Sequence, residues 1–369
     1  MQGRLTGALL IPLALLLDFH AACGALAQAW PPFVLVAGLL LIGRVAGNDG
    51  LFDAAASRLV RVPGPPVMLA LSCFALVAVV TALLNLDTAA VFLTPVLVKT
   101  AHRRGTDVKP FLYGAVFMAN ASSLFLPGSN PTNLLVLSGA HVSGATFLAR
   151  MLPVALVAPA ITAAGLLAIH RRGLFCAGAP RERGGEPVSR VRLGVGFSGA
   201  LLAAGLIVAL RNAALPVLAV GLLVLAWRAH GGELAWCESL SWLDLPTLVA
   251  LFSLAVALGT LARASAFPAD VLHAPGSLAT ATIAALSSVT VNNLPAAVLL
   301  SSGAHLPTRA LLLGLNVGPN LAVSGSLAVL LWWRSARAAG AQPSAIAYSR
   351  QGILLAPLAL LGALAVGAL

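Results

Sequence analysis

The chain has 369 residues, of which 59% are hydrophobic and only 9% are charged, and its formal net charge is +11. Soluble domains carry about a quarter charged residues, so the composition excludes a soluble protein and predicts an all-α polytopic membrane protein in a lipid bilayer. In a membrane protein, Lys and Arg in the loops set the orientation of the spans. We therefore attribute the positive charge to orientation in the membrane and expect no nucleic-acid partner.

Apolar segments separated by charged or turn-forming residues predict nine membrane spans and two re-entrant hairpins. The hairpins are predicted at residues 67–98 and 276–303. The spans are predicted near residues 7–22, 31–45, 110–140, 147–170, 193–210, 214–229, 246–262, 309–333 and 349–368.

Two of these spans are interrupted by helix breakers. The span at 110–140 is too long for a single crossing, which needs about 20 residues, and it contains Pro127 and Pro131. The span at 309–333 contains the pair Gly318-Pro319. We therefore expect two helices that break within the membrane, where protein or water must cover the non-helical backbone.

The basic residues favour one orientation of the chain. In this topology 18 of the 22 Lys and Arg residues lie in or beside cytoplasmic segments, and only Arg150, Arg211, Arg263 and Arg309 lie elsewhere. Cytoplasmic segments of membrane proteins are enriched in Lys and Arg. We therefore expect a protein of the cytoplasmic (inner) membrane with a cytoplasmic N-terminus and an extracytoplasmic C-terminus.

The two halves of the chain repeat the same order of segments. Asn85 matches Asn292 at an offset of 207 residues, and Ala-Ala-Val follows in both halves. The extra span between the halves reverses the second one, so the repeats are predicted to be inverted. The predicted units are a first repeat, a basic cytoplasmic linker, a linker helix and a second repeat, at residues 1–170, 171–192, 193–210 and 211–369.

Amides and hydroxyls concentrate where Gly and Pro interrupt the hairpins and the broken spans. Such interruptions at matching places in two halves are the usual sign of a transporter's substrate site. Half-helix ends there supply dipoles that bind a polyhydroxy solute or an anion without a basic side chain. The predicted substrate-binding residues are Asn85, Ser129, Asn130, Thr132, Asn133, Asn292, Asn293, Asn316, Asn320, Ser324, Gly325 and Ser326.

Asp87 and Asp18 are the two acids inside predicted membrane segments. Asp87 lies beside Thr88 at the first hairpin tip, and a carboxylate at membrane depth is costly and usually functional. We interpret Asp87 and Thr88 as the ion-coupling pair, because burial favours the protonated carboxyl and makes proton exchange feasible near neutral pH. The alternative, that Asp87 caps the second hairpin helix, is compatible with coupling. Asp18 is interpreted as interfacial.

No other chemistry is indicated. The cysteines are scattered, the histidines of the predicted outer loops lack the spacing of metal ligands, and no nucleotide-binding or hydrolase motif is present. These cysteines and histidines are Cys23, Cys73, Cys176, Cys237, His141, His273 and His305. We predict no enzyme activity, no metal and no cofactor, only a coupling ion, which is H⁺ or alternatively Na⁺.

The polar segments resemble those of the ion transporter superfamily, and most closely its ArsB-type arsenite permeases. The matching segments are Asp87 to Pro95, Ser129 to Asn133, Val289 to Pro295, Asn316 to Pro319 and Gly325 to Trp332. The resemblance implies inverted repeats whose hairpins and broken helices meet at mid-membrane. It also implies extrusion of arsenite or antimonite in exchange for protons, a homodimer by analogy, and in some members a soluble ATPase partner.

Several positions depart from typical arsenite permeases. Asn316 stands where those permeases have an acid, and Asn320 stands where they have a lysine. The first tip reads Asn85-Leu86-Asp87-Thr88 instead of Asn-Asp-Gly, so a second acidic proton site is missing. The related divalent-anion/sodium symporters carry Ser-Asn-Thr at both tips, and only fragments of that signature are present here.

Three functions are compatible with these features. The leading hypothesis is a secondary active transporter that expels arsenite- or antimonite-like neutral polyhydroxy solutes in exchange for protons. The alternative is a sodium- or proton-coupled permease for a small organic or inorganic anion such as a dicarboxylate or sulfate. The third is a non-transporting membrane subunit that binds a partner ATPase through the loop at 171–192.

Overall fold

The computed structural model describes residues 2–138, 142–175, 194–210, 212–231, 243, 245–265, 276–301 and 307–367. Within these ranges the regular secondary structure is helical throughout, so the predicted all-α fold is confirmed. Helices of sufficient length and apolar composition to cross a membrane are Phe19–Asn48, Pro66–Leu83, Gly144–Ile169, Leu245–Ala264 and Ala345–Val366.

The chain begins with α1 (Gln2–Leu17), α2 (Phe19–Asn48) and the short α3 (Leu51–Val60). The break between the first two helices lies at Asp18, where the sequence suggested residues 23–30. Asp18 has extended backbone, and its carboxylate accepts a hydrogen bond from the Ala21 backbone N–H at 2.9 Å. This N-cap starts α2 early, and the helix then continues through its prolines.

The first hairpin and the first broken helix follow in the predicted places. The hairpin consists of α4 (Pro66–Leu83) and α5 (Leu86–Arg103). The broken helix consists of α6 (Lys109–Ala121), a 3₁₀ turn (Pro127–Ser129) and α7 (Pro131–Val136). Proline starts both the turn and α7, because its fixed φ suits a first helical position. Proline also lacks a backbone N–H, and an N–H at this position would have no partner within the helix.

Five helices connect the first broken helix to the second hairpin in the described residues. They are α8 (Gly144–Ile169), α9 (Arg171–Phe175), α10 (Val195–Ala209), α11 (Ala214–His230) and α12 (Leu245–Ala264). Most of the predicted linker at 171–192 lies outside the described residues, so the domain boundaries there stay predictions.

The second hairpin and broken helix repeat the pattern of the first. The hairpin arms are α13 and α14, the broken helix runs from α15 through a 3₁₀ turn to α16, and α17 closes the repeat. Their bounds are Ser277–Val291, Asn293–Ser301, Thr308–Val317, Gly318–Leu321, Leu327–Ala338 and Ala345–Gly367.

The two repeats interlock through their hairpins and broken helices. In the first repeat α4 packs against α6, and in the second α13 packs against α15. The other arm of each hairpin crosses to the opposite repeat, so that α5 packs against α16 and α14 packs against α7. The polar breaks of both halves are therefore brought together inside the molecule, while α2 packs against α11 and α12 beside them.

Small residues allow α13 and α15 to approach closely. Gly314 and Gly318 face Ala281 and Ala285, and a Cβ at Gly318 would lie 2.4 Å from the Ala285 Cα. Helices in a bilayer associate through such close packing, because lipid is as apolar as a leucine surface and provides no hydrophobic driving force. A larger side chain at Gly318 would separate the hairpin from the broken helix.

Candidate substrate and coupling site

Asn316, at the end of α15, links the two broken helices. Its Oδ1 accepts hydrogen bonds from Asn130 Nδ2 at 2.7 Å and from Ser123 Oγ, and its Nδ2 donates to Asn133 Oδ1 at 2.8 Å. The same Nδ2 donates to the Leu312 carbonyl at 2.7 Å. Asn316 is fully buried, and a buried amide must be hydrogen-bonded to be tolerated. This side chain is therefore the hub between the repeats.

A second pair of amides joins the same helices. Asn120 Nδ2 donates to Asn320 Oδ1 at 2.9 Å, and Ser326 Oγ lies 3.5 Å from Asn120 Oδ1. Tyr348 of α17 donates its hydroxyl hydrogen to the Pro319 carbonyl at 3.0 Å. The breaks are thus held by side-chain hydrogen bonds that replace the helical bonds lost there.

The network follows an internal symmetry with an offset of 196 residues. Asn316 lies 196 positions after Asn120, and Ser326 lies 196 positions after Asn130. Asn130 caps α7 by accepting from the Thr132 backbone N–H at 2.9 Å, and Ser326 caps α16. The amide that ends the first half-helix of each repeat therefore reaches the N-cap of the second half-helix in the other repeat.

The first hairpin tip contains a buried acid and unpaired polar atoms. Asn85 Oδ1 accepts from the Thr88 backbone N–H at 2.7 Å and caps α5, so the capping role considered for Asp87 belongs to Asn85. Asp87 is 2% exposed, and no hydrogen bond between described residues involves its carboxyl group. Asn85 Nδ2 and Thr88 Oγ1 are buried without a partner among the described residues.

The second hairpin tip is tied to the adjoining break. Asn292 Nδ2 donates to the Ser324 carbonyl at 3.1 Å, and the Asn293 backbone N–H donates to the Gly325 carbonyl at 2.9 Å. Ser324 Oγ donates to the Val289 carbonyl at 2.8 Å. Asn292 has φ 75° and ψ 150°, a backbone region that non-glycine residues rarely occupy and that costs about 1–3 kcal/mol.

One tie is shared by both tips. Ser129 Oγ donates to the Ala82 carbonyl at 3.1 Å, and this bond resembles the one from Ser324 to Val289, because the two acceptor carbonyls are 207 residues apart. Of the remaining predicted site residues, Asn133 Nδ2 donates to the Ser123 carbonyl at 2.8 Å. Thr132 Oγ1 is buried without a partner in the described part of the chain.

Sequence reasoning missed three members of this site, namely Asn120, Ser123 and Tyr348. The segment Asn120-Ala-Ser-Ser directly precedes the first break, and Asn120 lies at the same offset from Asn316 as Asn130 does from Ser326. Alignment of the broken helices would therefore have found Asn120. Nothing in the sequence pattern marks Tyr348, which reaches the site from a separate helix.

No Lys or Arg takes part in the hydrogen bonds described for these amides and hydroxyls. Arg263 of α12 donates instead to Gln28 Oε1 and to the Gly259 carbonyl. Gln28 Nε2 in turn donates to Ser301 Oγ at 2.8 Å and to the Leu135 carbonyl at 3.0 Å. These contacts lie at the ends of α14 and α7 that are remote from the tips.

A cavity of about 330 Å³ lies beside the first break. Its walls come from α2, α7 and α10 with the start of α11, and Pro127 of the 3₁₀ turn contributes to its lining. Gln28 and Ser138 are among its polar lining residues. The cavity therefore borders the first broken helix.

The described residues contain no group of three or more His, Cys, Asp or Glu side chains that could hold a metal ion. Cys23 is exposed and Cys73 is buried. Cys176, Cys237 and the histidines of the predicted outer loops lie outside the described residues, so the absence of a metal site there stays a prediction.

Comparison with known proteins supports a transporter. Residues 3–324 match the model of the CitMHS family, described as citrate transporter. The silicon efflux transporter LSI3 of Oryza sativa subsp. japonica is 30% identical over 176 residues, which cover 47% of this chain and 36% of that protein. The inner membrane protein YbiR of Escherichia coli is 26% identical over 126 residues, 34% of each chain. The matches thus span only about a third of these curated relatives.

The fold itself is similar to that of a solved transporter. The YdaH transporter of Alcanivorax borkumensis aligns with a TM-score of 0.60 and 13% identity, over 100% of this chain and 98% of that one. At this identity the likeness establishes the fold alone. The family match covers most of the chain, and it also means that the protein is not an enzyme. The chain belongs to the CitMHS family, described as citrate transporter, and is a polytopic membrane protein.

Proposed function

We propose that the chain expels a small neutral polyhydroxy solute, of the class of arsenous or silicic acid, across the cytoplasmic membrane in exchange for protons. The observation that carries the proposal is the composition of the site. Both broken helices supply amides and hydroxyls, the first tip supplies one buried carboxyl, and no basic side chain takes part in the described bonds.

Unpaired polar atoms at the tips suit such a solute. Asn85 Nδ2 is a donor, Asn293 Oδ1 is an acceptor, and the hydroxyls of Thr88 and Thr132 can act as either. A buried polar atom without a partner costs about 1–3 kcal/mol, so a ligand that satisfies several of them gains affinity. A neutral solute with several O–H groups offers both donors and acceptors without the desolvation cost of a charge.

Asp87 is the proposed proton carrier. A carboxylate buried in a membrane protein is unfavourable without a counter-charge, and no described hydrogen bond stabilises its ionised form. Alternate binding of a proton and of the solute at the first tip would couple proton entry to solute exit. The name of the rice relative, a silicon efflux transporter, is consistent with this direction of transport.

The second candidate is an anion permease, which the name of the matching family favours. The N-termini of α5 and α16 lie at the site and carry partial positive charge. A tricarboxylate would need several compensating positive charges in addition to these helix ends, since buried charges without partners are costly. The hydrogen bonds described for the site include no basic side chain. This candidate therefore requires a bound cation, Na⁺ or H⁺, at the tips.

Flux into everted vesicles or proteoliposomes separates the two candidates. We expect uptake of arsenous or silicic acid that requires a pH gradient and does not respond to a Na⁺ gradient. Labelled citrate should not be transported and should not compete. Na⁺-driven citrate flux, with no flux of either neutral acid, would establish the anion permease instead.

A further inference from the structure

Two arginines that break the charge pattern of the chain line one cavity. Arg150 and Arg309 are two of the four basic residues outside the predicted cytoplasmic segments. Both line a cavity of about 460 Å³ between α8, α15 and α17. The cavity lies near the start of α8, at the opposite end of that helix from the basic residues Arg171 and Arg172 that follow it.

The cavity is amphipathic. Arg150 and Arg309 are exposed at its rim together with the hydroxyl residues Ser277 and Thr308, and no described acidic residue lines it. Its floor consists of buried apolar side chains, which are Phe147, Met151, Val154, Leu312, Leu313 and Ala363. A volume of this size lies within the range of about 300–1,000 Å³ that is typical of ligand pockets.

The surroundings of the cavity are those of a lipid-facing surface. Leu152 and Leu156 of α8 are 41% and 53% exposed, and Leu358 and Leu361 of α17 are 56% and 51% exposed. Such side chains on membrane helices contact acyl chains. A guanidinium forms bidentate bonds to a phosphate, so two arginines that line one cavity between membrane helices suit an anionic lipid headgroup.

We propose that this cavity binds an anionic phospholipid, with its phosphate between Arg150 and Arg309 and an acyl chain on the apolar floor. The cationic rim selects the charge of the headgroup, and the apolar floor selects a lipid over a free phosphate ion. The lipid would contact α15 next to Leu312, whose carbonyl accepts a hydrogen bond from Asn316. Its binding would therefore stabilise the helix that carries the hub between the repeats.

Native mass spectrometry of the purified full chain tests the proposal. We expect the wild type to retain phosphatidylglycerol at least several-fold more than phosphatidylcholine with the same acyl chains. Arg150→Gln/Arg309→Gln should lose this preference. Arg61→Gln/Arg337→Gln, which removes two exposed arginines elsewhere, is the matched control and should keep it. The single variant Arg150→Gln, with an intermediate preference expected, serves if the double variant does not fold.

Three results of the mass spectrometry would overturn the proposal. They are an absence of any preference in the wild type, an unchanged preference in the folded Arg150 variants, and an equal loss in the control variant. Inorganic phosphate and glycerophosphoglycerol distinguish the source of the anion. Neither should displace the lipid at millimolar concentration, and displacement by either would show that the rim binds a small anion instead.

Discussion

The two hairpin tips occupy equivalent positions but differ in what holds them. At the second tip the side chain of Asn292 and the backbone of Asn293 are bonded to the adjoining break. At the first tip Asn85 only caps its own helix, and the next residues are a buried acid and a threonine with an unpaired hydroxyl. The two tips are thus similar in position, but the second is bonded to its break through Asn292 and Asn293, whereas the first contains an ionisable side chain.

The acid itself has no counterpart. The residue 207 positions after Asp87 is Leu294, which is buried. The second tip instead holds the strained backbone of Asn292, and strain of this kind persists only where the surrounding contacts enforce it. We infer that the second tip serves as an anchor and the first as the coupling element.

The largest expected effect comes from the hub that joins the repeats. Asn316→Ala leaves Asn130 Nδ2 and Asn133 Oδ1 without the partners they have now, at about 1–3 kcal/mol for each. We expect a marked fall in the thermal unfolding midpoint and loss of transport. Asn120→Ala, the symmetry-matched control, should cost less because Asn120 makes one short bond across the repeats. Equal effects would contradict the unequal roles assigned to the two amides.

A glycine variant should be more stable than the matching alanine variant at the second tip but not at the first. Asn292→Ala removes the bond to Ser324 and retains the unfavourable φ, whereas Asn292→Gly removes the bond and relieves the strain. We expect the alanine variant to be less stable than the glycine variant by about 1 kcal/mol. At Asn85, whose backbone is extended, glycine should give no such advantage of strain relief. Unfolding midpoints of the four variants in one detergent provide the measurement.

The smallest effects concern the tie that both tips share. Ser129→Ala and Ser324→Ala each remove one hydrogen bond to a hairpin carbonyl, worth about 0.5–1.5 kcal/mol. Ser129 is buried and also accepts from the Leu126 backbone N–H at 3.1 Å, whereas Ser324 is exposed. We therefore expect the greater loss of stability for Ser129→Ala, and a greater loss for Ser324→Ala would refute the ranking.

Much of the fold was predictable because its breaks are local. Asn85 and Asn292 mark hairpin tips, and Pro127, Pro131 and Pro319 mark breaks, since these residue types alter the helix wherever they occur. The position of the break between α1 and α2 was not predictable from hydropathy. Asp18 ends α1 and starts α2 because its side chain caps α2. A single polar residue in an apolar segment fits an interfacial position equally well, so the sequence did not distinguish the two roles.

The pairing within the site required the structure. Asn130 and Asn133 were recognised from their place beside prolines, but their bonds to Asn316 depend on how the two broken helices cross. Asn120 lies inside an otherwise apolar helix seven residues before the first proline, so local composition did not mark it. The order of segments predicts which breaks meet, and side-chain geometry decides which atoms bond.

The most direct test of the asymmetry is solute flux in proteoliposomes with and without a pH gradient, for the wild type and Asp87→Asn. The wild type should accumulate the neutral acid only when a gradient is imposed. Asp87→Asn, which keeps the size and removes the ionisable group, should lose gradient-driven accumulation and retain at most passive exchange. Gradient-driven accumulation by Asp87→Asn at the wild-type rate would contradict the central claim that the first tip carries the coupling proton.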